Sequence, residues 1–126
     1  MKLEHVAYQV AEPQAMAHWY CEHLAMTIAH QVEDYCFFLV ASDGQGMLEI
    51  YRNPDEPVPD WSSRTAVEMH IAFWSDDVQS DFDRLIAAGA TEILPPQQLN
   101  ADVMHTMIRD PWGTALQLIH RTEKMY

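Results

Sequence analysis

The sequence is short of positive charge. Lys and Arg number 7 against 19 Asp and Glu, a formal charge of −12. Such a surface repels phosphate backbones, which sets nucleic-acid binding aside. It favours solubility and can draw cationic ligands, although a plainly solvated acidic surface is the commoner reading. Cysteine is scarce too. Cys21 and Cys36 show no CxxC or framework spacing and read as reduced thiols of a cytoplasmic protein. No apolar run approaches the roughly 20 residues that span a bilayer, so no membrane association is expected. The opening MKLEHVAYQV alternates and carries His and Glu, so it does not read as a signal peptide.

What is present is a globular composition. Hydrophobic residues make up 48% of 126 residues, with 4 Trp, 5 Tyr and 4 Phe, enough for one domain with a core. The chain also repeats itself. EHVAYQVAEPQAMAHWYCEHLAMTI (4–28) sets against MHIAFWSDDVQSDFDRLIAAGATEI (69–93). Each begins with an alternating strand, turns, enters an amphipathic helix and leaves it at a small residue, Ala25 or Gly89. In the first helix Pro13 fits the opening turn, and Met16, Trp19, Tyr20 and Leu24 form the apolar stripe. In the second, Asp76 or Asp77 can cap, and Val78, Phe82, Leu85 and Ile86 form the stripe.

The second halves match as well. GMLEIYR (46–52) corresponds to TALQLIH (114–120). Before them run the strand-like YCFFLVAS (35–42) and DVMHTMIRD (102–110), followed by the turns DGQG and DPWG. NPDEPVPDWSSR (53–64), with three prolines and no periodicity, reads as a linker. The expectation is an α+β fold of two tandem βαβββ modules, residues 1–52 and 65–126, joined by linker 53–64 into a single domain. The modules should form a curved mixed sheet with a concave metal-binding cleft. Each module alone is too small to bury its sheet, so the halves should pack together or dimerise.

Strand alternation places Val6, Tyr8 and Val10 on one face and His5, Ala7 and Gln9 on the other. Met69, Ile71 and Phe73 likewise oppose Glu68, His70 and Ala72. Leu48 and Ile50 oppose Glu49 and Tyr51; Leu116 and Leu118 oppose Gln117 and Ile119. The face opposite the apolar one thus carries His5, Glu49, His70 and Gln117. Any one of them alone reads as a solvent-face polar residue. Their recurrence at equivalent positions of a repeat points instead to a shared site for one divalent transition metal, Zn, Ni, Co or Fe.

The motifs LEHVAYQV, HWYCEHLAM, MLEIYR, MHIAF, AAGA and DPWGTALQL, in this order, resemble the vicinal-oxygen-chelate superfamily of glyoxalase I, extradiol dioxygenases and bleomycin resistance proteins. The pattern is most similar to small bacterial glyoxalase I. The resemblance implies a metal-dependent lyase or isomerase that chelates two adjacent oxygens of a small-molecule substrate and stabilises an enediolate-type intermediate. It places the ligands at His5, Glu49, His70 and Gln117. Gln117 departs from the family's glutamate: its amide oxygen can ligate, but it cannot take a proton. Glu49 is then the expected base, with Glu68 a weaker candidate. His105 is a further weak candidate for the pocket wall, a surface imidazole being the commoner reading. His18, His23, His30 and His120 read as structural or solvated. Ala25 stands where the family ends its helix with Gly, and Trp112 where its turn has Asp. A metal-free small-molecule or antibiotic binder is the alternative, and an extradiol-type dioxygenase a further one. The resemblance also implies a homodimer.

Overall fold

A computed structural model of the chain describes residues 1–123 and 125. They fall into two compact units, Met1–Pro59 and Asp60–Tyr126. The first unit runs β1 (Val6–Gln9), α1 (Pro13–His23), β2 (Thr27–Val32), β3 (Cys36–Val40) and β4 (Met47–Tyr51). The second runs β5 (Ile71–Trp74), α2 (Val78–Ala87), β6 (Thr91–Asn100), β7 (Val103–Arg109) and β8 (Ala115–Arg121). Each is a four-stranded mixed sheet with one helix, in the orders β1-β4-β3-β2 and β5-β8-β7-β6. In both, the first strand pairs parallel with the last and the other neighbours pair antiparallel. The α+β pattern of two βαβββ modules is therefore as the repeat predicts. Among the described residues no helix is long and apolar enough to cross a membrane.

The helices form where the sequence signals them. Pro13 opens α1, where its missing N–H is no loss. Asp77 caps α2 by accepting from Ser80 N at 3.0 Å. Met16, Ala17 and Tyr20 of α1 are wholly buried, with Phe37, Leu39 and Ile50 as the apolar counterpart on the sheet. Val78 and Leu85 of α2 are buried, as are Ile108, Leu116 and Leu118. Each large apolar side chain so removed from water contributes about 1.5–3 kcal/mol. The predicted stripes need correction: Trp19, Leu24, Phe82 and Ile86 are only half-buried, and Ala17 joins Met16 and Tyr20 in the core. Trp19 lies over the His23 ring instead, at 5.1 Å.

Of the segment read as a linker, residues 53–59 lie in the first unit and 60–64 in the second. Residues 61–63 make a short 3-10 turn capped by Asp60, which accepts from Ser62 N at 3.1 Å. Arg109 fastens this turn, donating to Trp61 O at 3.1 Å, Arg64 O at 2.7 Å and Gly113 O at 2.8 Å. Gly113, with φ +93, lies so close that a Cβ there would stand 2.7 Å from Ser62 N.

Candidate functional site

In the first unit, register decides which polar residues meet. Ala7 pairs with Glu49 across β1 and β4, Phe38 pairs with Glu49 and Cys36 with Tyr51 across β3 and β4. His5 lies just before β1, two residues upstream of Ala7, and so shares its face. The side chains meet: His5 Nε2 is 3.0 Å from Glu49 Oε2. The other carboxylate oxygen, Oε1, accepts from Cys36 Sγ at 3.4 Å. His5 Nδ1 contacts Glu4, and the ring stands edge-on to Phe38 at 5.7 Å. The bond to Glu4 is the main reason the His5 pKa is raised. Partial burial opposes it and Glu49 adds to it. Burial, then the Glu49 carboxylate, pushes the Cys36 thiol up to about 11, so it remains an S–H donor at neutral pH.

The second unit repeats the register. Ala72 pairs with Gln117 across β5 and β8, and Met107 pairs with Gln117 across β7 and β8. His70 lies just before β5, two residues upstream of Ala72, on the same face. It is exposed, and its Nδ1 is 2.7 Å from Ala66 O. A carbonyl only accepts, so Nδ1 carries the proton and Nε2 is left to present a lone pair. The turn that supplies this carbonyl is held by Glu68, which accepts from Thr65 N at 2.7 Å while Thr65 Oγ1 accepts from Glu68 N at 3.3 Å. The Thr65 bonds, with Arg64 beside them, hold the Glu68 carboxyl below the usual range. Glu68 is thus exposed in a turn, and its carboxylate is committed to that turn.

Gln117 is hydrogen-bonded through Nε2 to His105 Nδ1 at 3.1 Å. The surface reading of His105 is corrected: it is 8% exposed, because its place on β7 turns it to the Gln117 face of the sheet. Its Nε2 is buried with no hydrogen-bond partner. Of the other histidines, His18 and His30 are exposed and His120 bonds Ser75 O through Nδ1 at 3.0 Å.

The structure thus brings His5 and Glu49 together and joins Gln117 to His105. Sequence reasoning missed Cys36 as the partner of Glu49, since only the β3–β4 register reveals it. Imidazole beside carboxylate is a donor pair suited to a borderline divalent cation. The 3.0 Å between His5 Nε2 and Glu49 Oε2 is the separation of a hydrogen-bonded ion pair. Among the described residues no group of three or more His, Cys, Asp or Glu side chains is gathered to hold a metal.

The family model described as Glyoxalase/Bleomycin resistance protein/Dioxygenase superfamily matches residues 2–118. No protein of curated function matches. Among solved structures, the chain is similar to a glyoxalase family protein from Bacillus cereus, at 16% identity and TM-score 0.83, covering 98% of this chain and 95% of that one. A glyoxalase/bleomycin resistance protein from Albidiferax ferrireducens gives 18% identity and TM-score 0.68, over 94% and 98% of the two chains. A glyoxalase I mutant from Zea mays gives 20% and 0.76, over 97% of this chain and 45% of that one. At these identities the likeness is one of fold.

Proposed function

Because the chain belongs to the Glyoxalase/Bleomycin resistance protein/Dioxygenase superfamily, we propose that it is a metal-dependent enzyme of the glyoxalase type, a lyase or isomerase acting on a small molecule with two adjacent oxygens. His5, Glu49, His70 and Gln117 are the proposed ligands of one divalent transition metal, Zn, Ni, Co or Fe. The observation that carries this reading is the shared posture of the two histidines. Each engages an acceptor through Nδ1, Glu4 for His5 and Ala66 O for His70; Nε2 of His5 meets Glu49 Oε2 at 3.0 Å, a contact in which a cation would replace the shared proton. Metal-binding histidines are oriented and made more basic in this way.

When bound, the ion supplies Lewis-acid stabilisation to the oxyanion that develops on the substrate. The chain's own residues do the rest. Glu49 is the proposed base. Its Oε1 accepts from Cys36 Sγ at 3.4 Å and its Oε2 lies 3.0 Å from His5 Nε2, so it takes a proton only when one of these contacts gives way. Gln117 offers an amide oxygen and cannot compete for the proton. Two oxygen ligands of different basicity give the site one base rather than two.

The test is metal analysis of protein purified without a His-tag and loaded in turn with Zn, Ni, Co and Fe. One ion per site is expected, lost in His5→Ala and in His70→Ala. A second reading, a metal-free small-molecule binder, is favoured by the lack of three gathered His, Cys, Asp or Glu side chains among the described residues. No bound metal under any loading condition selects it. We further propose a cytoplasmic homodimer, and a monomer by light scattering at micromolar concentration would refute the dimer.

A further inference from the structure

Three features of the second unit lie outside the proposed reaction: the turn fastened by Arg109, the exposed Trp74 and Ile93, and His105. Only the last pairs a buried polar atom with a residue of the site. His105 stands on β7 with Gln97 and Ile119 as cross-strand partners and is more than nine-tenths buried. One ring nitrogen meets Gln117; the other, Nε2, meets nothing. A buried N–H or lone pair without a partner is a penalty that a leucine or methionine would avoid. A histidine kept there at that cost is explained by what its other nitrogen does.

That nitrogen sets the direction of an amide. A carboxamide has two nearly isosteric ends, one that can only donate and one that can only accept. Gln117 Nε2 can only donate, so the contact requires Nδ1 of His105 to accept and Nε2 to carry the proton. The amide oxygen is then the end turned away from the ring, and it has no protein partner among the described residues. We propose that His105 is a positioning residue: it turns the Gln117 carboxamide so that the oxygen, and not the nitrogen, is what a bound cation meets. The inference rests on the assignment of Gln117 as a ligand. It also accounts for glutamine at this position, since a carboxylate has no N–H to give and would force the proton onto Nδ1.

Two measurements decide it. The first uses metal-free protein and long-range proton–nitrogen correlation spectra of the histidine rings. His105 should carry its proton on Nε2, with Nδ1 as acceptor, and His105→Leu should move the Gln117 side-chain amide resonances. The second is calorimetric titration with Zn²⁺ alone. His105→Leu should weaken binding by about tenfold or more, as removal of a group behind a ligand does. His105→Asn, whose oxygen falls near the place of Nδ1, should recover most of it. A proton found on Nδ1, or a His105→Leu variant that binds Zn²⁺ as tightly as the parent, overturns the proposal. A parent protein that binds no Zn²⁺ refutes the metal reading and this proposal with it, whereas a parent that binds Zn²⁺ with the His105 proton on Nδ1 refutes this proposal alone.

Discussion

Where the first unit sets Glu49 opposite Ala7, the second sets Gln117 opposite Ala72, and His5 and His70 each stand two residues upstream of that alanine. The backbones repeat, yet the partners differ. Glu49 is ionisable and lies between an imidazole and a thiol; Gln117 carries no charge and is held by a buried imidazole. Duplication copies a register, and with it the places where side chains can meet. It does not copy the protonation chemistry, which a single change of residue type at one strand position resets. The two units also differ at their turns and helix ends, and those differences have measurable consequences.

The largest concerns the hairpin turns. Gly113 and Gly46 stand at matching points of DPWG and DGQG. A Cβ on Gly113 would meet Ser62 N, Cα and Cβ at 2.7–2.9 Å, and φ is +93. At Gly46 the nearest atom would be Ala41 Cβ at 3.7 Å, ordinary contact. Gly113→Ala should cost about 3 kcal/mol, strain and overpacking together, whereas Gly46→Ala should stay within about 0.5 kcal/mol. Urea unfolding of the two variants checks this. Equal costs would break the contrast and with it the docking of residues 60–64 against the turn.

The next concerns the helix ends. Gly89 follows α2 with φ +101; Ala25 follows α1 with φ +54, a left-handed conformation that a Cβ makes costly. Ala25→Gly removes about 1–2 kcal/mol of strain and adds about 0.5–1 kcal/mol of unfolded-state entropy, so a net gain of about 0.5 kcal/mol is expected. Gly89→Ala should lose about 1 kcal/mol or more by strain alone, since Pro111 Cγ at 3.6 Å leaves room for the methyl group. A stabilised Gly89→Ala would overturn this account of the helix ends.

These helix ends show what could be read without coordinates. The repeat, the small residue after each helix and the alternation that puts Glu49 and Gln117 on the face away from Leu48 and Leu116 are local patterns, and periodicity reveals them. Pairing register is not local. That Cys36 reaches Glu49 and His105 reaches Gln117 depends on where each hairpin turns. The burial of His105 and the fastening of residues 61–63 by Arg109 are tertiary in origin, and a proline-rich segment carries no sign of them. A helical stripe is wide enough to admit either Trp19 or Ala17, and packing against the sheet selects Ala17.

Cys36 offers a sharper probe of the first unit's charge, with little effect on stability. At a pKa of about 11, roughly one thiol in a thousand is ionised at pH 8. Aromatic disulfide reagents should therefore label Cys36 very slowly in the folded protein. Glu49→Gln removes the carboxylate while leaving the burial, so labelling should quicken severalfold without reaching the rate of an unfolded thiol. No change in rate would mean that Glu49 does not govern this thiol.

The smallest effect is expected at Asp60, which caps the turn that only the second unit possesses. Its carboxyl is held below the usual range chiefly by the Ser62 hydroxyl, with burial opposing and the Ser62 and Ser63 amides and the Ser63 hydroxyl assisting. The sign follows from linkage. The ionised group favours the folded turn at every pH above the unfolded value of about 3.9, and that support is lost as pH falls through the lower folded value. The Ser62 amide, which donates to Asp60 Oδ1 at 3.1 Å, reports it directly by NMR. Its resonance should shift in acid with a midpoint below the ordinary aspartate value of about 3.9, and in Asp60→Asn the acid shift should vanish. A midpoint at or above the ordinary aspartate value would show that the cap does not favour the ionised carboxylate. The docking of residues 60–64 would then rest on Arg109 and on the close approach of Gly113 alone.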